Sequence, residues 1–339
     1  MPTRARVVIL EGDYDVAAIR EIELPDPGPG EVAVLIYAAG VTWAELHEVG
    51  KSRSKPTVLG TEGSGRVTAV GEGVTDLAVG NFVIIGNDLL GDQQIYLPVV
   101  LDDGTETFGA GLYTWATNVV VDASQVLALG APADREAAAA AGTTVRYALS
   151  AIEAAAVDEG HTVVVFGVAA VGLAIVALAA AAGATTIVAV DRNAARLEKA
   201  TSLGATHVVT GSPEQALAGV AAILPTGANA AFDCLYDYRA KKRPGRRTVG
   251  EHGHAFLLAM NGTVADAEAF EATVDEYGYE RIMQRCDASS LADVLTRGVV
   301  NPAAIVTARY TIEGVNEALR DLENGTVVGA AVLVMEPLT

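Results

Sequence analysis

The segment 162–191 constrains the fold of this chain most, because it joins a buried strand, a glycine turn and a helix in one order. A β-branched run leads into Gly167, an alanine-rich stretch follows, and a second β-branched run ends at Asp191. A dinucleotide needs such a turn for close backbone approach, a helix N-terminus beside its pyrophosphate and a carboxylate for its ribose. The segment therefore predicts a nucleotide-binding strand–helix–strand unit.

The turn follows the glycine fingerprint with one departure. Gly167 and Gly172 stand at its first and third glycine positions, and Ala169 stands at the second. Asp191 follows at about the 20-residue spacing expected of the ribose-binding acid. An acid there favours NAD(H) over NADP(H), although the adjacent Arg192 could meet a phosphate. The predicted cofactor contacts in this segment are Gly167, Ala169, Val171, Gly172, Asp191 and Arg192.

Composition limits the partners and the location of the chain. Its 339 residues suggest two domains. A net charge of −19 argues against nucleic acid and acidic membrane surfaces as partners. The chain lacks a membrane-spanning apolar run and a signal peptide, and its two cysteines form neither a disulfide framework nor a zinc site. We therefore expect a cytoplasmic protein that acts on a small molecule.

The chain changes character twice along its length. Residues 1–142 contain short β-branched runs between Gly, Pro and Asp turns, which predicts a β domain. Residues 143–287 alternate strands and helices, which predicts a doubly wound parallel sheet of six strands, the last over 280–286. Residues 288–339 resemble the first part, with an extended stretch over 302–310, so we expect the β domain to be discontinuous.

Four motifs together resemble the medium-chain dehydrogenase/reductase superfamily. They read GVTWAELH over 40–47, LGTEGSGRV over 59–67, AAGTT over 140–144 and VGAAVL over 328–333. The resemblance implies an α/β fold with a GroES-like β domain, 1–142 and 288–339, and a Rossmann dinucleotide-binding domain, 143–287. It also implies a homodimer, and it places Thr144 among the cofactor contacts.

The chain departs from the family at the catalytic metal. Where zinc alcohol dehydrogenases of this family carry their ligands, this chain has Thr42, Thr61 and Ala140. Zinc binds thiolate, imidazole or carboxylate groups, so this set predicts an enzyme without zinc. The candidate catalytic residues are the two threonines and their titratable neighbours, namely Thr42, Glu45, His47, Thr61 and Glu62.

Without a metal, charge that develops on the substrate must be stabilised by hydroxyl and N–H donors, Tyr113 among them. We therefore expect an activated substrate, namely a conjugated C=C bond, a quinone or an iminium, in a reaction of secondary metabolism. Each titratable candidate also has a structural interpretation. Glu62 could pair with an arginine, Glu45 could orient a backbone amide, and His47 could be a hydrogen-bonded histidine without a catalytic role.

Two other interpretations remain open from the sequence. The absent metal ligands and Ala169 would also fit a non-redox enzyme, such as a cyclase, isomerase or lyase, with a degenerate cofactor site. A non-catalytic binding protein is the third hypothesis. The basic stretch 239–247 is either a solvated loop paired with nearby acids or a contact for an anionic ligand.

Overall fold

A computed structural model gives the fold. The structure describes residues 3–11, 16–49, 56–86, 99–101, 103–130, 134–235, 243–258, 272–280, 282 and 286–335. The chain divides into two compact units. Unit 1 comprises 1–143, 287–296 and 306–339, and unit 2 comprises 144–286 and 297–305.

The elements follow in chain order. The strands are β1 Thr3–Leu10, β2 Ala17–Leu24, β3 Glu31–Val41, β4 Thr57–Gly60, β5 Glu62–Val70, β6 Phe82–Gly86, β7 Val99–Val100, β8 Glu106–Gly111, β9 Asn118–Asp122, β10 Val126–Leu129, β11 Thr162–Phe166, β12 Thr186–Val190, β13 His207–Val209, β14 Ala228–Asp233, β15 Val249–Leu257, β16 Val306–Thr311 and β17 Ala330–Val334. The helices are α1 Trp43–Glu48, α2 Thr144–Ala154, α3 Ala170–Ala181, α4 Ala194–Ser202, α5 Pro213–Ile223, α6 272–277, α7 Ala288–Thr296, α8 Pro302–Ile305 and α9 Val315–Glu323.

Unit 1 is built on two sheets that share no strand. One has the order β2-β1-β4-β8-β7, and the other has β10-β6-β5-β3-β17-β16 with β9 also paired to β3. Strand β3 is the centre of the second sheet because it pairs antiparallel with β5, β9 and β17. Its alternating residues Val32, Val34 and Ile36 are buried, as expected of a strand with one face on the core.

Unit 2 is a parallel sheet with helices between its strands. The order is β13-β12-β11-β14-β15, and every pairing is parallel. Strand β11 is buried on both faces, which explains its continuous β-branched sequence. Helix α3 is apolar on all sides and mostly buried. Because the strands are parallel, the carboxyl ends of β11, β12 and β14 lie along one edge of the sheet.

Two details of the predicted fold are wrong or incomplete. Residues 302–305 form helix α8 rather than an extended stretch, and the strand begins only at Val306. The predicted sixth strand is represented by one bridge between Glu280 and Phe256, while 281 and 283–285 lie outside the described residues. Within the described ranges, no helix combines the length and the apolar character needed to cross a bilayer.

Candidate functional site

The glycine turn of unit 2 has the backbone geometry that the fingerprint predicts. Gly167 follows β11 with a φ of +80°, a conformation that favours glycine. A Cβ at Gly167 would lie 3.0 Å from the carbonyl oxygen of Cys234 on the neighbouring chain segment. A Cβ at Gly172 would lie only 2.1 Å from the Gly167 carbonyl oxygen. Both glycines are therefore required by steric contacts within unit 2.

Ala169 occupies the second glycine position without backbone strain. It precedes α3 with φ −79° and ψ −157°, an extended conformation that any L residue adopts. No side chain caps this helix at Ala169, so its first N–H groups are left to another partner. Such uncapped N–H groups form an anion-binding site in nucleotide-binding folds. The first N–H groups of α3 therefore suit an anion, but the Ala169 Cβ stands where the second glycine of the fingerprint has none.

Asp191 is joined directly to the glycine turn. Its Oδ2 accepts a hydrogen bond from the Val168 N–H at 3.0 Å, and its Oδ1 accepts one from the Asn193 N–H at 2.9 Å. The side chain is 10% exposed, so the carboxylate is fixed but accessible. An ionised carboxylate has about four acceptor positions, so these two bonds leave capacity for ribose hydroxyls.

Two arginines lie next to Asp191 in sequence or in space. Arg192 is exposed, as its position after the strand suggests. Sequence reasoning missed Arg196, whose Nη1 lies 4.0 Å from Asp191 Oδ2. The first turn of α4, which is capped by the Asn193 side chain, brings Arg196 over the acid. Arg196 is the third residue of α4 and lies five residues after Asp191, so the i,i+3 and i,i+4 spacings of a helix did not indicate this contact.

In unit 1, three predicted residues form one hydrogen-bonded group, here called the threonine–glutamate cluster: Thr42, Glu45 and Thr61. The Thr42 hydroxyl donates to Glu45 Oε2 at 2.6 Å, and the Thr61 hydroxyl donates to Glu45 Oε1 at 2.7 Å. The Thr42 N–H also donates to Oε2, at 2.9 Å. Thr42 and Glu45 form a capping box at the start of α1, which fixes the carboxylate locally.

Opposing effects act on the pKa of the carboxyl in this cluster. Glu45 is 1% exposed, and burial raises its pKa above the ordinary value of 4.5. The hydrogen bonds from Thr42 and Thr61 act in the opposite direction, because they stabilise the charged form. Burial is the larger effect. Glu45 also orients the Thr42 amide, which was its structural interpretation from the sequence.

Glu62 follows Thr61 directly in the chain and, like Glu45, is 1% exposed. Its Oε2 accepts a hydrogen bond from the Thr143 N–H at 2.8 Å. A Cβ at Gly40 would lie 2.3 Å from Glu62 Oε1, so the glycine makes room for this side chain. Glu62 therefore fixes the backbone of unit 1 just before its junction with unit 2.

The remaining predicted residues lie in different environments. His47 is exposed on the last turn of α1, two residues from the buried Glu45, so the two side chains leave the helix in different directions. Thr144 is buried as the first residue of α2 in unit 2. Tyr113 is buried with a φ of +60°, in a segment where the Leu112 N–H donates to the Gly60 carbonyl. Such strain clusters at functional sites.

The donor groups at the expected zinc positions do not fit a zinc ion. Both threonine hydroxyls are neutral and hydrogen-bonded to Glu45, and Ala140 is a buried alanine in a 3-10 helix over Ala137–Ala141. A catalytic zinc needs three thiolate, imidazole or carboxylate ligands. Within the part of the chain that the structure describes, no group of three or more His, Cys, Asp or Glu residues has metal-binding geometry.

Comparisons with known proteins place both units in one family. The family described as alcohol dehydrogenase GroES-like domain matches residues 28–131, and the family described as zinc-binding dehydrogenase matches residues 170–271. The chain is 27% identical to the NDMA-dependent alcohol dehydrogenase of Amycolatopsis methanolica, over 97% of this chain and 99% of the relative.

Solved structures show the same architecture. An alcohol dehydrogenase zinc-binding domain protein from Burkholderia ambifaria superposes with a TM-score of 0.84 at 20% identity, covering 99% of this chain and 100% of that one. The short chain alcohol dehydrogenase (rspB) from E. coli CFT073, complexed with the cofactor NADH, superposes with a TM-score of 0.78 at 19% identity. The match covers 98% of this chain and 99% of that one. These likenesses confirm the predicted fold class, a GroES-like β domain with a Rossmann domain.

Proposed function

This chain belongs to the medium-chain dehydrogenase/reductase superfamily, and from that premise we propose that it is an NAD(H)-linked oxidoreductase that works without a catalytic zinc. The observation that carries the proposal is the Asp191 carboxylate held on the glycine turn through the Val168 N–H. This contact puts the ribose-binding acid and the phosphate-binding turn in one rigid arrangement.

The cofactor preference follows from charge. The Asp191 carboxylate accepts hydrogen bonds from a ribose 2′-hydroxyl and repels a 2′-phosphate, which favours NAD(H). Arg192 and Arg196 weaken this preference because they add positive charge nearby. The other residues proposed to hold the cofactor are Gly167, Ala169, Val171, Gly172 and Thr144.

A bound nicotinamide would supply or accept a hydride, and the residues of the chain would supply or accept the accompanying proton. We assign that role to the threonine–glutamate cluster. When Glu45 is protonated, its O–H donates to a threonine oxygen, and that threonine turns its own O–H toward the substrate. Thr42 is the exit for the proton because it is half-buried, whereas Thr61 is buried. The threonine gives its hydroxyl proton to the substrate and takes the Glu45 proton in its place. The substrate thereby gains one proton, and Glu45 is left as a carboxylate.

This proton source suits an activated substrate. One well-placed donor contributes roughly 3–4 kcal/mol to a transition state, which is less than a metal ion offers an unactivated carbonyl. A conjugated C=C bond or a quinone takes up both a hydride and a proton, so it uses the cofactor and the cluster together. An iminium needs only the hydride. Glu62, which accepts a hydrogen bond from the Thr143 N–H, and the exposed His47 stay candidates for the acid–base role.

The remaining predictions complete the proposal. We retain 1–142 with 288–339 as the catalytic domain and 143–287 as the nucleotide-binding domain. We also retain a cytoplasmic homodimer with a role in secondary metabolism. The two cysteines are buried free thiols, which supports a reducing compartment. Ala169 has an unstrained backbone, and its Cβ, which the second glycine of the fingerprint lacks, remains the argument for the alternative, a non-redox enzyme with a degenerate cofactor site.

A fluorescence titration of the full chain with NADH and NADPH tests the proposal. We expect NADH to bind more tightly, and Asp191→Ser to weaken NADH binding and narrow the gap to NADPH. Glu198→Gln, an exposed acid on α4, is the control and should leave both affinities unchanged. If neither nucleotide binds below about 1 mM, the oxidoreductase is excluded. Zinc bound stoichiometrically after dialysis against zinc would overturn the metal-free assignment.

A further inference from the structure

A second buried polar group lies in unit 2, at the carboxyl end of β14, and we call it the Asp233 network. Asp233 is the last residue of β14 and pairs in register with Phe166, the residue before Gly167. The Arg243 Nη1 lies 2.8 Å from Asp233 Oδ2, with side-chain exposures of 0% and 1%. The Tyr279 hydroxyl donates to the same oxygen at 2.5 Å.

This network holds one residue by both of its peptide groups. Asp233 Oδ1 accepts the Leu235 N–H at 3.1 Å, and the Arg243 Nη2 donates to the Leu235 carbonyl oxygen at 3.2 Å. Leu235 is thereby fixed between a buried carboxylate and a buried guanidinium, although its own side chain is 39% exposed. An ordinary chain reversal after a parallel strand needs neither charge.

The fixed segment touches the glycine turn. A Cβ at Gly167 would lie 3.0 Å from both the Cys234 carbonyl oxygen and Leu235 Cδ2. The Cys234 N–H donates to the Phe166 carbonyl at 2.8 Å, so the two segments are also joined by a hydrogen bond. A displacement of Leu235 would therefore change the packing beside Gly167, which has a left-handed backbone conformation.

Stability alone does not account for the network. A buried ion pair recovers little more than the cost of removing two charges from water. Among the described residues, the Arg243 Nε has no hydrogen-bond partner, so the guanidinium is not fully satisfied. Charge does matter at this edge, because an uncompensated Asp233 would lie beside a turn suited to a phosphate. Arg243 neutralises it.

We infer that Asp233, Arg243 and Tyr279 are positioning residues that hold the Cys234–Leu235 segment against the glycine turn and keep this edge of the sheet free of net negative charge. The inference rests on the proposed cofactor site for its functional consequence. Its geometric part, the order of the turn, stands on unit 2 alone.

Hydrogen exchange of the unliganded full chain tests the geometric part. We expect Arg243→Met to speed exchange of the hydrogen-bonded amides of Gly167, Val168 and Leu173 by about tenfold or more, while amides of β3 and β17 in unit 1 stay unchanged. The double variant Asp233→Asn/Arg243→Met, which removes both charges, should restore only part of the protection, because the Leu235 carbonyl oxygen still lacks its donor. If Arg243→Met fails to fold, Arg243→Lys and Tyr279→Phe replace it, each with a smaller increase confined to the turn.

Nucleotide binding then separates this inference from the proposed function. We expect Tyr279→Phe and Arg243→Lys to raise the Kd for NADH while kcat at saturating NADH stays within about twofold of wild type. Unchanged exchange at Gly167, Val168 and Leu173 in folded variants, or an increase spread evenly over unit 2, overturns the positioning role. A wild-type chain that binds no nucleotide overturns the proposed function and leaves the exchange result to decide the positioning role.

Discussion

Glu45 in unit 1 and Asp233 in unit 2 are equally buried, at 1% exposure each, but Glu45 has neutral partners and Asp233 has a charged one. Glu45 accepts hydrogen bonds from neutral groups of Thr42 and Thr61. Asp233 lies against the Arg243 guanidinium. Both carboxyls lose their solvent, so they differ in the partner that replaces it: neutral hydroxyl and N–H donors at Glu45, and a guanidinium at Asp233.

Their surroundings bear this difference out. Burial raises the pKa of Glu45 because hydroxyl donors compensate only part of the lost solvation. The Cys234 thiol, next to Asp233, has a pKa raised well above its ordinary value by burial and by the Asp233 charge. A proton-exchanging carboxyl suits catalysis, and a compensated anion suits positioning, which is how we assign the two.

The largest expected effect is on turnover. Glu45→Gln keeps the size of the side chain but removes its acidic proton, so we expect kcat to fall by about 10²- to 10⁴-fold while NADH affinity stays unchanged. The control is Glu72→Gln, which changes an exposed glutamate of unit 1. Steady-state kinetics with an activated substrate measure both. A kcat within threefold of wild type would remove Glu45 from the mechanism.

The same comparison predicts a large stability effect in unit 2. Arg243→Met leaves the Asp233 charge buried and unpaired, which should lower the free energy of unfolding by about 3–5 kcal/mol. Adding Asp233→Asn removes the charge and should recover most of that loss. Urea unfolding of the single and double variants measures the recovery. Equal losses in both would mean that Arg243 acts through packing and not through charge.

The sequence predicted the glycine turn with Asp191 but not the Asp233 network, because the contacts of the network join residues that no local sequence pattern links. The glycine turn and Asp191 lie within one segment, so a local pattern identified them, whereas the capping box of Thr42 and Glu45 was not predicted although both residues were candidates. The Asp233 network was missed. Arg243 belongs to the basic stretch 239–247, of which 239–242 lie outside the described residues, and no local pattern shows that this arginine is buried against Asp233.

A smaller effect distinguishes the hydrogen bonds of the two carboxyls. Tyr279→Phe removes one donor from a carboxyl that Arg243 still contacts, so we expect a loss of about 1.5–3 kcal/mol. Thr61→Val removes a donor from Glu45, and its cost should grow with pH because the donor stabilises the charged form. Urea unfolding at about pH 5 and about pH 8 checks this. If the stability losses of the two variants depend on pH in the same way, the two carboxyls do not differ as we infer.

The smallest expected effect is the pH dependence that Glu45 itself imposes on stability. Its folded-state pKa lies above the ordinary value of 4.5, so between those two values the folded chain holds more protons than the unfolded chain. Stability from this group is therefore full below pH 4.5 and falls as pH rises through the folded-state pKa, by at most about 1.4 kcal/mol per pH unit. Glu45→Gln should lack this decline, whereas Glu72→Gln should keep it. If wild type and Glu45→Gln change in parallel from pH 4.5 to 8, burial does not raise the pKa of Glu45, and the carboxyl has no proton to supply to Thr42 near neutral pH.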